Sequence, residues 1–183
     1  AVAELTLGLM LALDRRIPDN VADLRQGRWN KKEYSKAAGL YGRTLGLVGF
    51  GNIGREVANR ALAFGLHVVV WSRRFADGSE QPDLPVRVVA SPGDVADVAD
   101  IVSVHLALSR ETRGLLGEAF FQRMKPGAMF LNTSRGEVVD HQALERAVRD
   151  RGIRAGLDVF PEEPAAAAAA FTPALAALPG VYG

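Results

Sequence analysis

The sequence predicts an α/β fold in which a parallel β-sheet is covered by helices on both faces. Short apolar runs of strand length alternate with segments of helical periodicity from residue 44 to residue 160. Such alternation is typical of parallel strands joined by crossover helices. The 183 residues, 48% of them apolar, are enough for one sizeable hydrophobic core. We therefore expect a doubly wound, three-layer α/β/α domain.

Residues 1–43 are expected to lead into this sheet. Apolar residues recur at helical spacing from Ala1 to Asp14. Asp19 or Asn20 is a candidate N-cap for a second short helix that ends near Gly27. Residues 28–43 are polar and basic, and we interpret them as a solvated connector rather than an anion site.

Residues 44–164 are expected to form the core. The predicted strands are Thr44–Val48, His67–Trp71, Val86–Ala90, Ile101–Leu106, Ala128–Thr133 and Arg154–Phe160, the last clear strand. The predicted helices are Ile53–Phe64, Pro92–Ala99, Glu118–Met124 and His141–Arg149, the last with Asp140 as N-cap and Gly152 just past its end. Residues 165–183 form a tail that begins with six alanines, from which we infer no chemistry.

Composition excludes several functional classes. The 22 Lys and Arg against 21 Asp and Glu leave a net charge of +1, which gives no reason to expect nucleic acid or a membrane as partner. The absence of Cys removes disulfides, thiolate nucleophiles and Cys-ligated metals, and the wide spacing of the three His argues against a His-built zinc site. The longest apolar stretch is too short for a bilayer, and no secretory signal opens the chain. We expect a cytoplasmic domain and, because Ala1 replaces an initiating Met, a part of a longer protein.

A glycine loop follows the first predicted strand. Gly49, Gly51 and Gly54 have the spacing G-x-G-x-x-G, with Asn52 and Ile53 opening the next helix. The first Gly permits the tight turn, the second lets a pyrophosphate approach the backbone, and the third lets helix and strand pack closely. The helix N-terminus then presents free N–H groups to the phosphates. The loop predicts a Rossmann-type dinucleotide site; the alternative is a tight turn without a ligand.

The end of the second predicted strand bears on the choice between NAD and NADP. An acidic residue at this point usually bonds the ribose 2′-hydroxyl. Here Ser72 stands at the strand end, followed by Arg73 and Arg74, which suit a 2′-phosphate. We favour NADP over NAD on this feature, the alternative being that both Arg are solvated loop residues.

Further candidates follow the carboxyl ends of later strands, where ligands bind in open parallel sheets. They are His105, Leu106 and Ala107, then Thr133, Ser134 and Arg135, and then Asp158 and Glu163. An Arg at such a point can hold a substrate carboxylate, and a Glu can raise the pKa of a catalytic His. Equally, Arg135 can pair with Glu137 on the surface, and Glu162 and Glu163 can be loop charges.

Taken together, these motifs resemble the nucleotide-binding domain of the D-isomer-specific 2-hydroxyacid dehydrogenases, which include D-3-phosphoglycerate dehydrogenases and glyoxylate/hydroxypyruvate reductases. The resemblance runs from residue 1 to about 164. It rests on the segments 2–7, 47–54, 111–114, 124–127, 132–140 and 156–160.

The resemblance implies roles for single residues. Arg135 looks like the arginine that holds the substrate carboxylate, and Glu163 like the catalytic glutamate. Asp158 looks like the partner of the nicotinamide carboxamide, and Thr112, Thr133 and Ser134 like cofactor-lining positions. The family also implies a homodimer, with the helix near Ala1 contributing to its interface, and small 2-keto or 2-hydroxy acids as substrates.

Departures from the family pattern limit these expectations. Ser72 replaces the usual acidic residue, and Ala107 a common Pro. The family's catalytic His follows this domain, and no His of this chain is in that position, so we expect cofactor binding with little turnover by the chain alone. We likewise expect the substrate domain, which flanks this region in the family, to lie outside these 183 residues.

Two alternative functions stay open. One is a non-catalytic NAD(H)-sensing module, like corepressors of this fold, which can keep the same residues. The other is a different Rossmann enzyme, such as a homocysteine-nucleoside hydrolase, against which the 132–140 and 158–164 motifs argue.

Overall fold

The computed structural model describes residues 1–75, 78, 80–164 and 170–183. Within these residues, seven parallel strands form one sheet in the order β3-β2-β1-β4-β5-β6-β7. The strands are β1 Thr44–Val48, β2 His67–Trp71, β3 Arg87–Val88, β4 Ile101–Val104, β5 Met129–Asn132, β6 Arg154–Leu157 and β7 Val181–Tyr182. The helices are α1 Val2–Arg15, α2 Ile17–Arg25, α3 Lys31–Tyr34, α4 Asn52–Ala63, α5 Pro92–Val98, α6 Glu118–Arg123 and α7 His141–Arg151.

Helices cover both faces of the sheet, which confirms the predicted three-layer architecture. On one face α1 and α4 bury residues such as Met10 and Val57 against Leu45 and Leu47 of β1. On the other face α5, α6 and α7 contribute to a second cluster that includes Val48. Alternate β1 side chains enter opposite clusters because successive strand residues point to opposite faces.

Gly46 of β1 lets α5 approach the sheet closely. A Cβ at this position would lie 2.3 Å from Val95 Cγ1 and 2.8 Å from Ala99 Cβ, so only a glycine fits without displacing the helix. The sheet order reverses beside β1, which pairs with β2 on one side and β4 on the other. Crevices for ligands form at such a reversal, beyond the carboxyl ends of the strands.

The start of α2 was wrongly predicted. Arg16 adopts a left-handed conformation (φ 51°) that ends α1, and α2 begins directly afterwards with Pro18 in its first turn. Neither Asp19 nor Asn20 caps the helix; Asp19 instead accepts a hydrogen bond from Arg16 Nε at 3.0 Å. Pro is well placed in a first turn because its missing N–H has no intrahelical partner there.

The interpretation of residues 28–43 as a plain connector also needs correction. This segment contains α3, and its Tyr34 hydroxyl donates to Asp23 Oδ2 of α2 at 2.7 Å. Glu33 accepts from Arg16 Nη1 at 2.7 Å. The segment is therefore folded back onto α2 by polar contacts that its composition alone does not show.

The tail after residue 164 adds a strand that the sequence analysis missed. Val181 and Tyr182 pair with Ala155 and Gly156, so β6 is not the last strand, and β6 itself ends at Leu157. Two residues are too few to produce a periodic signal. Residues 165–169 of the alanine run lie outside the described residues. Within the described ranges, no helix is both long and apolar enough to cross a membrane.

Candidate functional site

The glycine loop forms a tight turn between β1 and α4. Gly49 has φ 104°, and a Cβ there would lie 2.5 Å from the carbonyl oxygen of His105, which follows β4. A Cβ on Gly54 would lie 2.6 Å from Gly49 O. Around Gly51, by contrast, a Cβ would meet no heavy atom within 4 Å. Gly49 and Gly54 therefore serve close packing, whereas Gly51 leaves its backbone open to a ligand.

The N-terminus of α4 opens at this loop. Its N-cap is Gly51, which has no side chain to accept hydrogen bonds from the first turn. Uncapped N–H groups and the positive end of the helix dipole favour a bound anion. This combination fits the pyrophosphate of a dinucleotide.

A cavity of about 460 Å³ lies beside the reversal of the sheet order. It brings together residues that follow β1, β4 and β5 and are far apart in the chain. From the predicted set these are Ile53, His105, Leu106, Ala107, Thr133, Ser134 and Arg135, and they are joined by Val2 and Leu108. Val2 and Leu108 were not among the predicted site residues, because an apolar side chain at a cavity wall has the same sequence pattern as one in a core.

A second cavity, of about 290 Å³, lies on the β2 side of the glycine loop. Gly51, Asn52 and Arg74 line it as members of the predicted set. The remaining lining residues, which the sequence analysis missed, are Phe50, Arg55, Phe75, Gln81, Pro82 and Asp83. The position of Arg55 directly after the glycine motif was an available signal.

The loop that carries Arg135 is held by the side chain of Asn132, the last residue of β5. Asn132 Nδ2 donates to Arg135 O at 2.9 Å, and its Oδ1 accepts from Ser134 N at 3.0 Å and from Ser134 Oγ at 2.9 Å. Thr133 Oγ1 lies 3.0 Å from Thr6 Oγ1 of α1. The buried Asn132 amide thus determines the loop conformation that exposes the Arg135 side chain.

Arg135 is free of the surface pairing considered above. Among the described residues no carboxylate lies within 4.0 Å of its guanidinium, Glu137 included, and Nη1 donates to Ser134 O at 2.7 Å. An exposed guanidinium with donors to spare can receive a ligand carboxylate.

Asp158 and Glu163 follow β6, the strand next to β5. Glu163 Oε1 accepts a hydrogen bond from Phe160 N at 2.6 Å. Loss of hydration and, secondarily, the negative charge of Glu163 raise the pKa of the Asp158 carboxyl. The loops after β5 and β6 touch: a Cβ on Gly136 would lie 2.6 Å from the carbonyl carbon of Phe160. Arg135 and the two carboxylates therefore stand on adjoining loops.

Other predicted site residues line neither of the two cavities: among the described residues these are Gly49, Gly54, Ser72, Arg73, Thr112, Asp158 and Glu163. Thr112 is buried, and its Oγ1 donates to Ala107 O and accepts from Ser109 N, both at 2.7 Å. It shapes the loop that presents Ala107. Ser72 lies next to the glycine loop, since Gly49 N donates to Trp71 O at 2.8 Å.

The three histidines, all within the described residues, have separate environments. Burial lowers the pKa of His105 to about 4, and its Nε2 lies 2.8 Å from Ser103 Oγ, so the ring is neutral at pH 7. Burial also lowers the pKa of His141, whose Nε2 lies 2.9 Å from Gly136 O. His67 begins β2, at the end of the sheet opposite the cavities.

In the part of the chain that the structure describes, no cluster of three or more His, Asp or Glu is arranged to hold a metal ion.

Residues 7–181 match the model of the D-isomer specific 2-hydroxyacid dehydrogenase, NAD binding domain. The chain belongs to this family. It is 42% identical over 165 residues to a hydroxypyruvate reductase of Thermotoga maritima, covering 90% of this chain and 52% of the relative. It is 40% identical over 174 residues to a glyoxylate reductase of Thermococcus litoralis, covering 90% of this chain and 51% of the relative.

A solved structure shows the same architecture. The TT0316 protein from Thermus thermophilus superposes with a TM-score of 0.85 at 40% identity, over 99% of this chain and 55% of that one. This chain spans about half the length of these relatives. The matching family model is that of an NAD-binding domain, and the open glycine loop and the uncapped start of α4 fit a dinucleotide cofactor.

The substitution Gly51→Ala tests the open backbone of the loop. The backbone of Gly51 (φ −84°, ψ −163°) is accessible to Ala, so we expect a loss of stability of about 1 kcal/mol or less. The added methyl group would occupy the space into which the pyrophosphate fits, so we expect at least about tenfold weaker NADH binding, measured by fluorescence titration.

The matched control for this substitution is Gly117→Ala. Gly117, at the start of α6, is likewise an N-cap with extended backbone (φ −105°, ψ −162°), and a Cβ there would make an ordinary contact, 3.8 Å from Gly114 O. Equal NADH affinity of wild type and Gly51→Ala, or equal weakening by both substitutions, would contradict a ligand site at Gly51.

Proposed function

We propose that this chain is the cofactor-binding part of an oxidoreductase that interconverts D-2-hydroxy acids and 2-keto acids by hydride transfer. One observation carries the proposal: the Arg135 side chain, free of any carboxylate among the described residues, lines the same cavity as Ile53 in the first turn of the helix that follows the glycine loop. A carboxylate-binding group thus lies beside the site for a dinucleotide.

The chain's own residues have distinct tasks in this reaction. Arg135 binds the substrate carboxylate through paired N–H donors and polarises the adjacent carbonyl oxygen. Asp158 accepts a hydrogen bond from the carboxamide of the cofactor. A bound nicotinamide supplies or accepts the hydride.

Proton transfer needs a further group. His105 is neutral at pH 7, and His141 is engaged with Gly136 O, so neither is a suitable proton donor at Arg135. We infer that a His outside residues 1–183 donates the proton, with Glu163 holding it and raising its pKa, and that a separate substrate domain completes the active site.

The substitution Arg135→Met, made in the complete enzyme, tests the carboxylate site. Loss of a bidentate, charge-assisted contact should lower kcat/KM for a 2-keto acid by about 100-fold or more, with NADH affinity unchanged within about twofold. Arg135→Lys keeps the charge without the paired donors, so its kcat/KM should lie between those of the wild type and Arg135→Met. The control Arg149→Met removes an exposed Arg paired with Glu145 on α7. Wild-type kcat/KM in Arg135→Met would exclude the role.

We further propose that NADP(H) is preferred over NAD(H). Ser72 stands where a carboxylate would repel a 2′-phosphate, and Arg74 lines the cavity beside the glycine loop. Arg73 is exposed one residue after Ser72. Both guanidinium groups lie on the short helical turn 73–75 that follows β2.

Titration with NADPH and with NADH, each followed by its own fluorescence, tests this preference. Wild type should bind NADPH more tightly. Ser72→Asp should weaken the binding of NADPH by about tenfold or more, because the carboxylate repels the 2′-phosphate. The affinity for NADH should be unchanged or higher, because Asp accepts a hydrogen bond from a 2′-hydroxyl. Ser72→Asn is the uncharged control. Tighter binding of NADH by the wild type would refute the preference.

A homodimer in the cytoplasm, without nucleic acid or membrane as partner, completes the proposal. Its support is the exposure of large apolar side chains: Ile17 and Leu24 of α2, and Trp29 (78% exposed) and Tyr41 (88% exposed) in the segment that follows α2. Burial of such side chains favours association. Sedimentation equilibrium should show a dimer for the wild type and a monomer for Trp29→Glu with Leu24→Glu; a monomeric wild type at micromolar concentration would contradict it.

A further inference from the structure

Two ion pairs lie at the second cavity, on the β2 side of the glycine loop. Arg55 of α4 binds Asp83 through Nε, at 3.0 Å from Oδ1 and 2.9 Å from Oδ2, and through Nη2 as well. Arg74 binds Glu80 through Nε at 2.9 Å and through Nη2. Both carboxylates come from the short segment 80–83, and three of these four side chains line the cavity.

The two guanidinium groups face one space. Arg74 Cζ stacks 5.4 Å from the centroid of the Phe75 ring, and that ring lies 5.6 Å from the ring of Phe50, which adjoins Gly51. The pKa of Asp83 is lowered chiefly by its hydrogen bond from Arg55, and the charge of Arg74 contributes as well. Cations from the glycine-loop helix and from the β2 turn are therefore gathered at the wall of one cavity.

Arg55 and Arg74 line the cavity beside the glycine loop and the end of β2, where the 2′ substituent of the adenosine ribose is expected. In a Rossmann site the residues at the end of β2 contact the ribose, and a nearby Arg accommodates a 2′-phosphate. Each Arg already has a carboxylate as partner, and a phosphate approaching it also meets the negative charge of that carboxylate. All four side chains are about half exposed, so the pairs are weak and can be exchanged for another anion.

We propose that Glu80 and Asp83 are specificity-determining residues that compete with the 2′-phosphate of NADP(H) for Arg74 and Arg55. The inference rests on the proposed dinucleotide function and adds Arg55 to the 2′-phosphate site. Binding of a 2′-phosphate exchanges two carboxylate partners for one phosphate, while binding of a 2′-hydroxyl leaves both pairs in place. The segment 80–83 thus limits the preference for NADP(H) that the arginines alone would produce.

The experiment uses two probes that differ only in the 2′-phosphate: 2′,5′-ADP and 5′-AMP. Each is titrated calorimetrically into the 183-residue chain and into Glu80→Gln, Asp83→Asn and the double variant. We expect each single substitution to raise the affinity for 2′,5′-ADP by about three- to tenfold, and the double variant to raise it further. The affinity for 5′-AMP should stay unchanged within about twofold. Added salt should reduce the gain.

Two controls separate competition from other effects. Glu118→Gln makes the same change in net charge and breaks a comparable exposed pair, that with Arg146, between α6 and α7. In the background Arg55→Met, the substitution Asp83→Asn should tighten binding of 2′,5′-ADP by clearly less than it does in the wild type, because the arginine that Asp83 would release is gone. This cycle measures the coupling between the two residues directly.

The outcomes are distinct. The inference is overturned, with cofactor binding intact, if the variants of Glu80 and Asp83 bind 2′,5′-ADP no more tightly than the wild type. It is also overturned if they gain as much affinity for 5′-AMP, or if Glu118→Gln gains as much affinity for 2′,5′-ADP. If wild type binds neither probe nor NADH, the proposed function fails and the inference fails with it.

Discussion

The site depends on the close approach of the first strand's turn to the end of β4. Gly49 passes so near the His105 carbonyl that no side chain fits between them, and Gly54 packs against Gly49 in the same way. This contact aims the start of α4 at the crevice where the sheet order reverses. The two cavities lie on either side of this helix end. Arg74 lines the cavity on the β2 side, and Arg135 lines the cavity on the β4 and β5 side.

A second close contact joins the loop after β5 to the loop after β6. Gly136 lies against the backbone of Phe160, which brings the loop of Arg135 against the loop of Glu163. Asn132 holds the first loop through three hydrogen bonds, and the Phe160 amide binds the Glu163 carboxylate in the second. The guanidinium of Arg135 and the carboxylate of Glu163 are thereby kept on adjoining loops, without an ion pair to each other among the described contacts.

Much of the fold was predictable because its signals are local. β1 and β2 have the bounds expected from their apolar runs, and α7 begins after Asp140, whose carboxylate accepts from Gln142 N and Ala143 N. The predictions failed where a distant partner decides the structure. Val181 and Tyr182 become a strand only because Ala155 and Gly156 offer a free edge, and α3 is stabilised by Asp23 and Arg16.

The sequence by itself determined the glycine turn, the order of strands and helices from β1 to β6, and the residue types at the strand ends. These follow from backbone conformation and from hydrophobic periodicity, which act over a few residues. Only the tertiary structure decided which of those residues meet. It showed that Thr112 supports a loop and lines neither of the two cavities, and that burial keeps His105 neutral. It also showed that Glu80 forms an ion pair with Arg74, and Asp83 one with Arg55. Such pairings depend on distances between segments that are remote in the chain, and no local pattern encodes them.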